Sequence, residues 1–235
     1  MGWNRLIHYY DWEGAEALLR RALEVQSNNT GALHWLSHVL SWQGRHDEAI
    51  AQARRALEVD PHSRLMGMNL SYILLDAGDF EASIELAQDN LRRHPNQFEQ
   101  YGNLWLTYLR AGRQEDAAGT LLRWASLTGR DAEAAREVGE AFIRYGQTGE
   151  PQRLPRELVD RVEFGSEDRG QVYAFMGDGE RALDALEQAY EERSGSRSVL
   201  SMKLNPGYDF IRDDPRFVAL LERVGLALIA DGVAG

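Results

Sequence analysis

Residues 35–61 read WLSHVLSWQGRHDEAIAQARRALEVDP, and the frame returns as NLSYILLDAGDFEASIELAQDNLRRHP over 69–95 and NLWLTYLRAGRQEDAAGTLLRWASLTG over 103–129. Each copy begins 34 residues after the one before it. The conserved places of the frame are Leu36, Leu70 and Leu104; Ala49, Ser83 and Ala117; and Gly44, Gly78 and Gly112. A fixed period of this length indicates stacked supersecondary units, because one unit cannot bury its apolar face alone.

Each unit is predicted to contain two helices joined by a short turn at the glycine. Apolar residues recur at helical spacing before Gly44 and again after it. Glycine adopts the left-handed conformation that ends the first helix. Pro61 and Pro95 cannot continue a helix, so they mark the end of the second. The small residue at Ala49 allows the two helices to approach closely.

The 34-residue frame with these residue types resembles the tetratricopeptide repeat. The resemblance is strongest over residues 30–131. It implies an all-α, right-handed superhelical solenoid of antiparallel helix pairs in a single continuous domain, with about six units and a C-terminal capping helix. The predicted parts are a truncated first repeat at 1–29, three well-formed units at 30–131, two degenerate units at 132–193, and a connector with the capping helix at 194–235.

The degenerate units differ from the frame in the positions of their turns and second helices. Gly146 lies 34 residues after Gly112, so we expect it to end the first helix of a fifth unit. The stretch GQTGEPQRLPRE at 146–157 delays the second helix to near Pro155 and shortens it. A sixth unit follows around Gly177. The segment 229–235 is expected to fray.

Composition restricts the classes of partner. The chain has 26 Lys plus Arg against 37 Asp plus Glu, a net charge of −11, which disfavours nucleic acids and anionic membranes. It has no cysteine, which excludes disulfides and thiolate metal sites. No apolar run is long enough to span a membrane, and the first residues lack a signal-peptide core. We expect a cytoplasmic protein without a cofactor.

The resemblance also implies where a ligand would bind, because the first helices of such units line a concave face. The positions carried over to this chain are His34, Trp35, His38, Trp42, Met68, Asn69, Tyr72, Asn103, Leu106, Arg110, Arg136, Glu140 and Arg144. Aromatic and Met side chains with scattered polar groups suit a groove for an extended peptide or a helix. We expect the three arginines to pair with acidic groups of the ligand. The alternative is that Trp35 and Tyr72 simply pack between neighbouring units.

Other sites fit the sequence poorly. Some members of the family bind the C-terminal carboxylate of chaperones through Lys, Asn and Arg residues in three successive units. This chain has Glu99 where that pattern needs a cation, and only Asn69 fits it. His34 and His38 are spaced to share a zinc ion, but no third ligand is evident. The stretch GDGERA at 177–182 is not a phosphate loop, and no pair of carboxylates can be assigned to acid/base catalysis.

The C-terminal part carries a second likeness. ALDALEQAYEERS at 182–194, followed by YDFIRDDPRFVALLERVGL at 208–226, resembles the tetratricopeptide region of bacterial multidomain signalling proteins. There it follows a winged-helix, adenylate-cyclase or Ser/Thr kinase domain, none of which is present in this chain. The sequence favours a non-enzymatic protein–protein interaction module. The alternative is a regulatory segment of a larger protein that forms homo-oligomers through the truncated first unit and the helix around Phe217.

Overall fold

The structure is a computed structural model that describes residues 6, 9–95, 97–192 and 197–227. Within these ranges the regular elements are helices, and no strand occurs. They are α1 (Trp12–Val25), α2 (Thr30–Trp42), α3 (His46–Val59), α4 (Arg64–Asp76), α5 (Phe80–Arg93), α6 (Phe98–Arg110), α7 (Gln114–Thr128), α8 (Ala132–Thr148), α9 (Arg156–Arg161), α10 (Ser166–Ala174), α11 (Gly179–Glu191), α12 (Arg197–Leu200), a 3-10 helix (Pro206–Ile211) and α13 (Pro215–Arg223). Consecutive helices pack as pairs. The predicted all-α solenoid is confirmed.

The turns of the three regular units lie at the predicted glycines. Gly44, Gly78 and Gly112 have φ angles of 79°, 81° and 71°, the left-handed region that L-residues avoid. The first helices of two of these units begin with side-chain caps, since Asn29 Oδ1 accepts from the Ala32 amide and Ser63 Oγ from the Met66 amide. The local signals in the sequence therefore set the helix boundaries.

The prediction for Gly146 is wrong. The fifth first helix, α8, continues through it to Thr148 and ends at Gly149, whose φ is 68°. A Cβ at Gly146 would lie 2.6 Å from Cδ of Gln114, so this glycine permits α8 to approach the start of α7. Gly146 therefore serves helix packing, and the turn lies three residues later, at Gly149.

Small residues lie where the two helices of each regular unit approach each other. Ala49, Ser83 and Ala117 are fully buried. Ser83 Oγ also donates a hydrogen bond to the carbonyl oxygen of Ser71, 2.7 Å away on the partner helix. The close approach that the sequence predicts is therefore present, with a hydrogen bond in one of the units.

Buried side chains also join consecutive first helices. Ser37 Oγ donates to the carbonyl of His34, so it accepts from Nδ2 of Asn69 at 3.1 Å. One period later Ser71 Oγ donates to a backbone carbonyl and accepts from Nδ2 of Asn103 at 2.6 Å. This repeated Asn-to-Ser bond links α2 to α4 and α4 to α6.

The two ends of the solenoid contact each other. Trp12 Nε1 at the start of α1 donates to the carbonyl of Val224 at the end of α13, and the Tyr10 ring stacks on Tyr190 with centroids 5.5 Å apart. Phe217 is fully buried. Parts of the surfaces that the sequence assigns to oligomerisation therefore contact each other within one chain, and homo-oligomerisation stays a prediction.

None of the helices in the described ranges is both long and apolar enough to cross a membrane. The fraying predicted for residues 229–235 lies outside the described residues.

Candidate ligand-binding cavity

A cavity of about 630 Å³ opens on the shared face of the first helices α2, α4 and α6. The end of α7, the α7–α8 turn and the start of α10 complete its lining. Its volume lies within the usual range for ligand pockets. The cavity is therefore built by three consecutive units together with a fourth contribution from farther along the chain.

The α2 side of the cavity is a row of aromatic rings. His34 and His38 are one helical turn apart, with ring centroids 5.0 Å apart, and His38 stacks on Trp42 at 5.0 Å. Trp35 meets His34 edge to face at 4.5 Å. Spacings of three and four residues place these rings on one face of the helix.

The pKa of His34 is lowered to about 4 by burial, and a hydrogen bond with Asn69 offsets part of that effect. The imidazole is therefore neutral near pH 7, because the low-dielectric surroundings disfavour its charged form. Within the described ranges no group of three His, Cys, Asp or Glu side chains is placed to hold a metal ion.

Trp124 and Arg130 contribute to the lining from outside the first helices. The Arg130 guanidinium lies 4.2 Å from the centroid of the Trp124 ring, a cation–π geometry. Trp124 also stacks on Phe164 at 6.0 Å. The sequence analysis missed this tryptophan, because it assigned the ligand-binding face to the first helices of the units.

Residues 6–68 match the family model of the tetratricopeptide repeat. This match supports the repeat resemblance over the first two units. Comparison with curated proteins found no match.

Two solved structures are similar to the chain. One is a crystal structure of MamA, with 18% identity, covering 78% of this chain and 91% of that one at a TM-score of 0.44. The other is a tetratricopeptide repeat protein from Parabacteroides merdae ATCC 43184, with 16% identity, covering 95% and 92% at a TM-score of 0.48. The likeness to multidomain signalling proteins stays a prediction.

Eight of the residues assigned to the groove line this cavity. They are His34, Trp35, His38, Trp42, Met68, Asn69, Tyr72 and Leu106. Trp35 and Tyr72 are half-buried, whereas Trp42 is only 3% exposed. The alternative of packing between units therefore applies best to Trp42, and Trp35 and Tyr72 keep surface that a ligand could cover.

Asn103 and Arg110 do not line the cavity. Asn103 is fully buried and serves the Asn-to-Ser bond between units. Arg110 Nη1 lies 3.3 Å from Oδ1 of Asp76, and the two side chains are 4% and 3% exposed. Each side chain is therefore engaged within the solenoid, which corrects its assignment to ligand binding.

The three assigned residues of the fifth unit also lie outside the cavity. Arg136 Nη1 is 2.8 Å from Oε1 of Glu140, and Arg144 Nη1 is 3.7 Å from Oε2 of the same carboxylate. All three side chains are about half exposed. They form an ion-pair row along α8, an arrangement that contributes little to stability.

Proposed function

We propose that this chain is a non-enzymatic protein-interaction module that binds a segment of a partner protein in the cavity of α2, α4 and α6. The observation that carries the proposal is the concentration of aromatic side chains in a single cavity of about 630 Å³. The tetratricopeptide match supports a scaffold role for the fold.

The chemistry of the lining favours an apolar or aromatic anchor on the partner. Trp35 and Tyr72 are rigid side chains that remain partly exposed. An aromatic side chain that enters such a site buries about 150–250 Å², which corresponds to about 4–6 kcal/mol before entropic costs. Aromatic anchors in pockets are where interfaces concentrate their binding energy.

The geometry of the cavity also suits a segment more than a flat surface. Its lining spans three units, with Trp35 on α2, Tyr72 on α4 and Leu106 on α6. A peptide running across the helices can place successive side chains against successive units. Repeat proteins use extended concave surfaces in this way.

The test is a peptide selection followed by affinity measurements. Peptides selected by display against the wild-type chain should bind the double variant Trp35→Ala/Tyr72→Ala at least about tenfold more weakly, because two aromatic contacts are lost. Phe210→Ala is the matched control, since Phe210 is an exposed aromatic residue that does not line the cavity.

Circular dichroism must show equal helix content in both variants. Trp42 is avoided as a test position because it is only 3% exposed and its truncation would damage the core. Selected peptides that bind the double variant as tightly as the wild type would refute the cavity as the binding site.

A further inference from the structure

Three charged side chains line the cavity, and their surroundings differ. Asp168 on α10 already has an interaction partner. Glu99 is exposed in the first turn of α6, where water and the positive end of the helix dipole both stabilise a carboxylate. Arg130, in the turn between α7 and α8, is partly buried. The arginine is therefore the charged group of the lining that a ligand could still stabilise.

The polar atoms of Arg130 are incompletely paired. Its Nε is buried and has no hydrogen-bond partner among the described residues. Its guanidinium also makes no ion pair with them, whereas Arg110 pairs with Asp76 and Arg136 pairs with Glu140. A buried donor without an acceptor costs free energy, and the cost is larger for a charged group. An acceptor supplied by a ligand would offset that cost.

The Trp124 ring holds the guanidinium in place. The guanidinium carbon of Arg130 lies over that ring, 4.2 Å from its centroid, so the ring covers one face of the cation. Trp124 is itself stacked on Phe164. A guanidinium presents its N–H groups in its own plane, a geometry that matches the two oxygens of a carboxylate. Because the cation is already positioned, less ordering is needed when a carboxylate binds.

We propose that Arg130 binds the carboxylate of an aspartate or glutamate side chain of the partner segment. The inference rests on the proposed function and adds a second recognised group to the apolar or aromatic anchor. A side-chain carboxylate stands away from the peptide backbone. It can therefore reach the α7–α8 turn while the segment crosses α2, α4 and α6.

The other charges of the chain limit the proposal to a single carboxylate. The net charge of −11 and the exposed Glu99 both repel an anion. These repulsions act mainly through solvent and are screened by salt, whereas a contact with the partly buried Arg130 is screened less. We therefore expect a segment with one acidic side chain near its anchor, and not a run of acidic residues.

The first experiment uses acetylated, C-terminally amidated peptides with a phenylalanine anchor and a glutamate, separated by glycine spacers of different lengths. Each is compared with its glutamine counterpart, which keeps the shape of glutamate and lacks its charge. A third set carries glutamine and a free C-terminal carboxylate. Binding is followed by NMR through the indole N–H signal of Trp124. The best glutamate peptide should bind about three- to tenfold more tightly than its glutamine counterpart.

Equal affinity of the glutamate and glutamine peptides at every spacing, or no binding by either, would overturn the carboxylate proposal. Tighter binding of the free C-terminal carboxylate than of the glutamate side chain would overturn it in favour of a chain end. The proposed function has its own readout, the loss of display-selected peptides in Trp35→Ala/Tyr72→Ala. If that loss occurs while glutamine equals glutamate, the cavity binds peptides without recognising charge. If that loss is absent, the proposed function itself fails.

Substitutions in the chain assign the effect to one residue. Arg130→Gln should weaken binding of the glutamate peptide about three- to tenfold, to the level of the glutamine peptide. The glutamine peptide should bind Arg130→Gln as tightly as the wild type, which would show that the cavity is intact. Glu99→Gln should not weaken the glutamate peptide, because it removes a like charge.

Arg54→Gln is the matched control, since it removes one exposed arginine outside the cavity lining. It should leave the affinity of both peptides unchanged. An equal loss in Arg54→Gln and Arg130→Gln would mean general charge attraction and would contradict the site.

Discussion

The indole nitrogen of Trp12 donates a hydrogen bond to the backbone carbonyl of Val224, 2.8 Å away and 212 positions later in the chain. A Cβ on Gly225 would lie 3.4 Å from the same indole ring, so the ring is packed against the backbone as well. One residue pair therefore joins the first unit to the last helix.

Replacing Trp12 should loosen this junction. Trp12→Phe leaves the buried carbonyl of Val224 without its indole donor, at a cost of about 1–3 kcal/mol. Trp12→Ala also removes the ring from the core, so its loss should reach about 3–5 kcal/mol. Urea unfolding measures both. Equal stability of Trp12→Ala and the wild type would show that the ends do not meet in solution.

The regular units could be predicted from sequence because their determinants are local. The period, the glycine turns at Gly44 and Gly78, and the caps all act within a few residues. The meeting of Trp12 with Val224 could not be predicted, because it depends on the rotation accumulated over all the units. A small change per unit would move the two ends far apart.

The candidate cavity was only partly predictable for a similar reason. The frame places Trp35 and Tyr72 on the shared face of the first helices, and they line the cavity. Asn103 also belongs to a first helix, but it is fully buried, bonds to Ser71 of the neighbouring unit and does not line the cavity. Trp124 was detectable as a tryptophan at a frame position where the other copies have Ala56 and Asn90.

The close contact between the two helices of a unit should not accommodate a side chain larger than that of Ala49. Ala49 is fully buried where α3 meets α2, so Ala49→Leu should destabilise the chain by about 1–3 kcal/mol through overpacking. Ala51→Leu, two residues along on the exposed side of α3, is the matched control and should be nearly neutral. Urea midpoints measure both. Similar losses in the two variants would place the close contact elsewhere.

Removing one partner of the buried ion pair of Arg110 and Asp76 should destabilise the fold more than the removal of both charges together would suggest. Arg110→Met leaves a carboxylate in a nearly dry site, and its expected cost is about 3–5 kcal/mol. The double variant Arg110→Met/Asp76→Leu removes both charges and should lose clearly less than the two single losses combined. A double-mutant cycle in urea measures the coupling, and strict additivity would contradict a direct interaction.

The lowered pKa of His34 gives stability a pH dependence of known sign. Because burial holds its pKa at about 4, against 6.5 for an unperturbed histidine, the folded chain binds fewer protons than the unfolded chain between these values. The free energy of unfolding should therefore fall as pH drops from about 6.5 to about 4, by up to roughly 3 kcal/mol from this residue. Burial also lowers the pKa of His46, which adds a fall of the same sign.

His34→Gln cannot titrate, so its unfolding free energy should fall less over this range than that of the wild type. His62→Gln, at an exposed position, is the control. Parallel pH profiles for the wild type and His34→Gln would mean that the imidazole is hydrated and that this side of the cavity is wet.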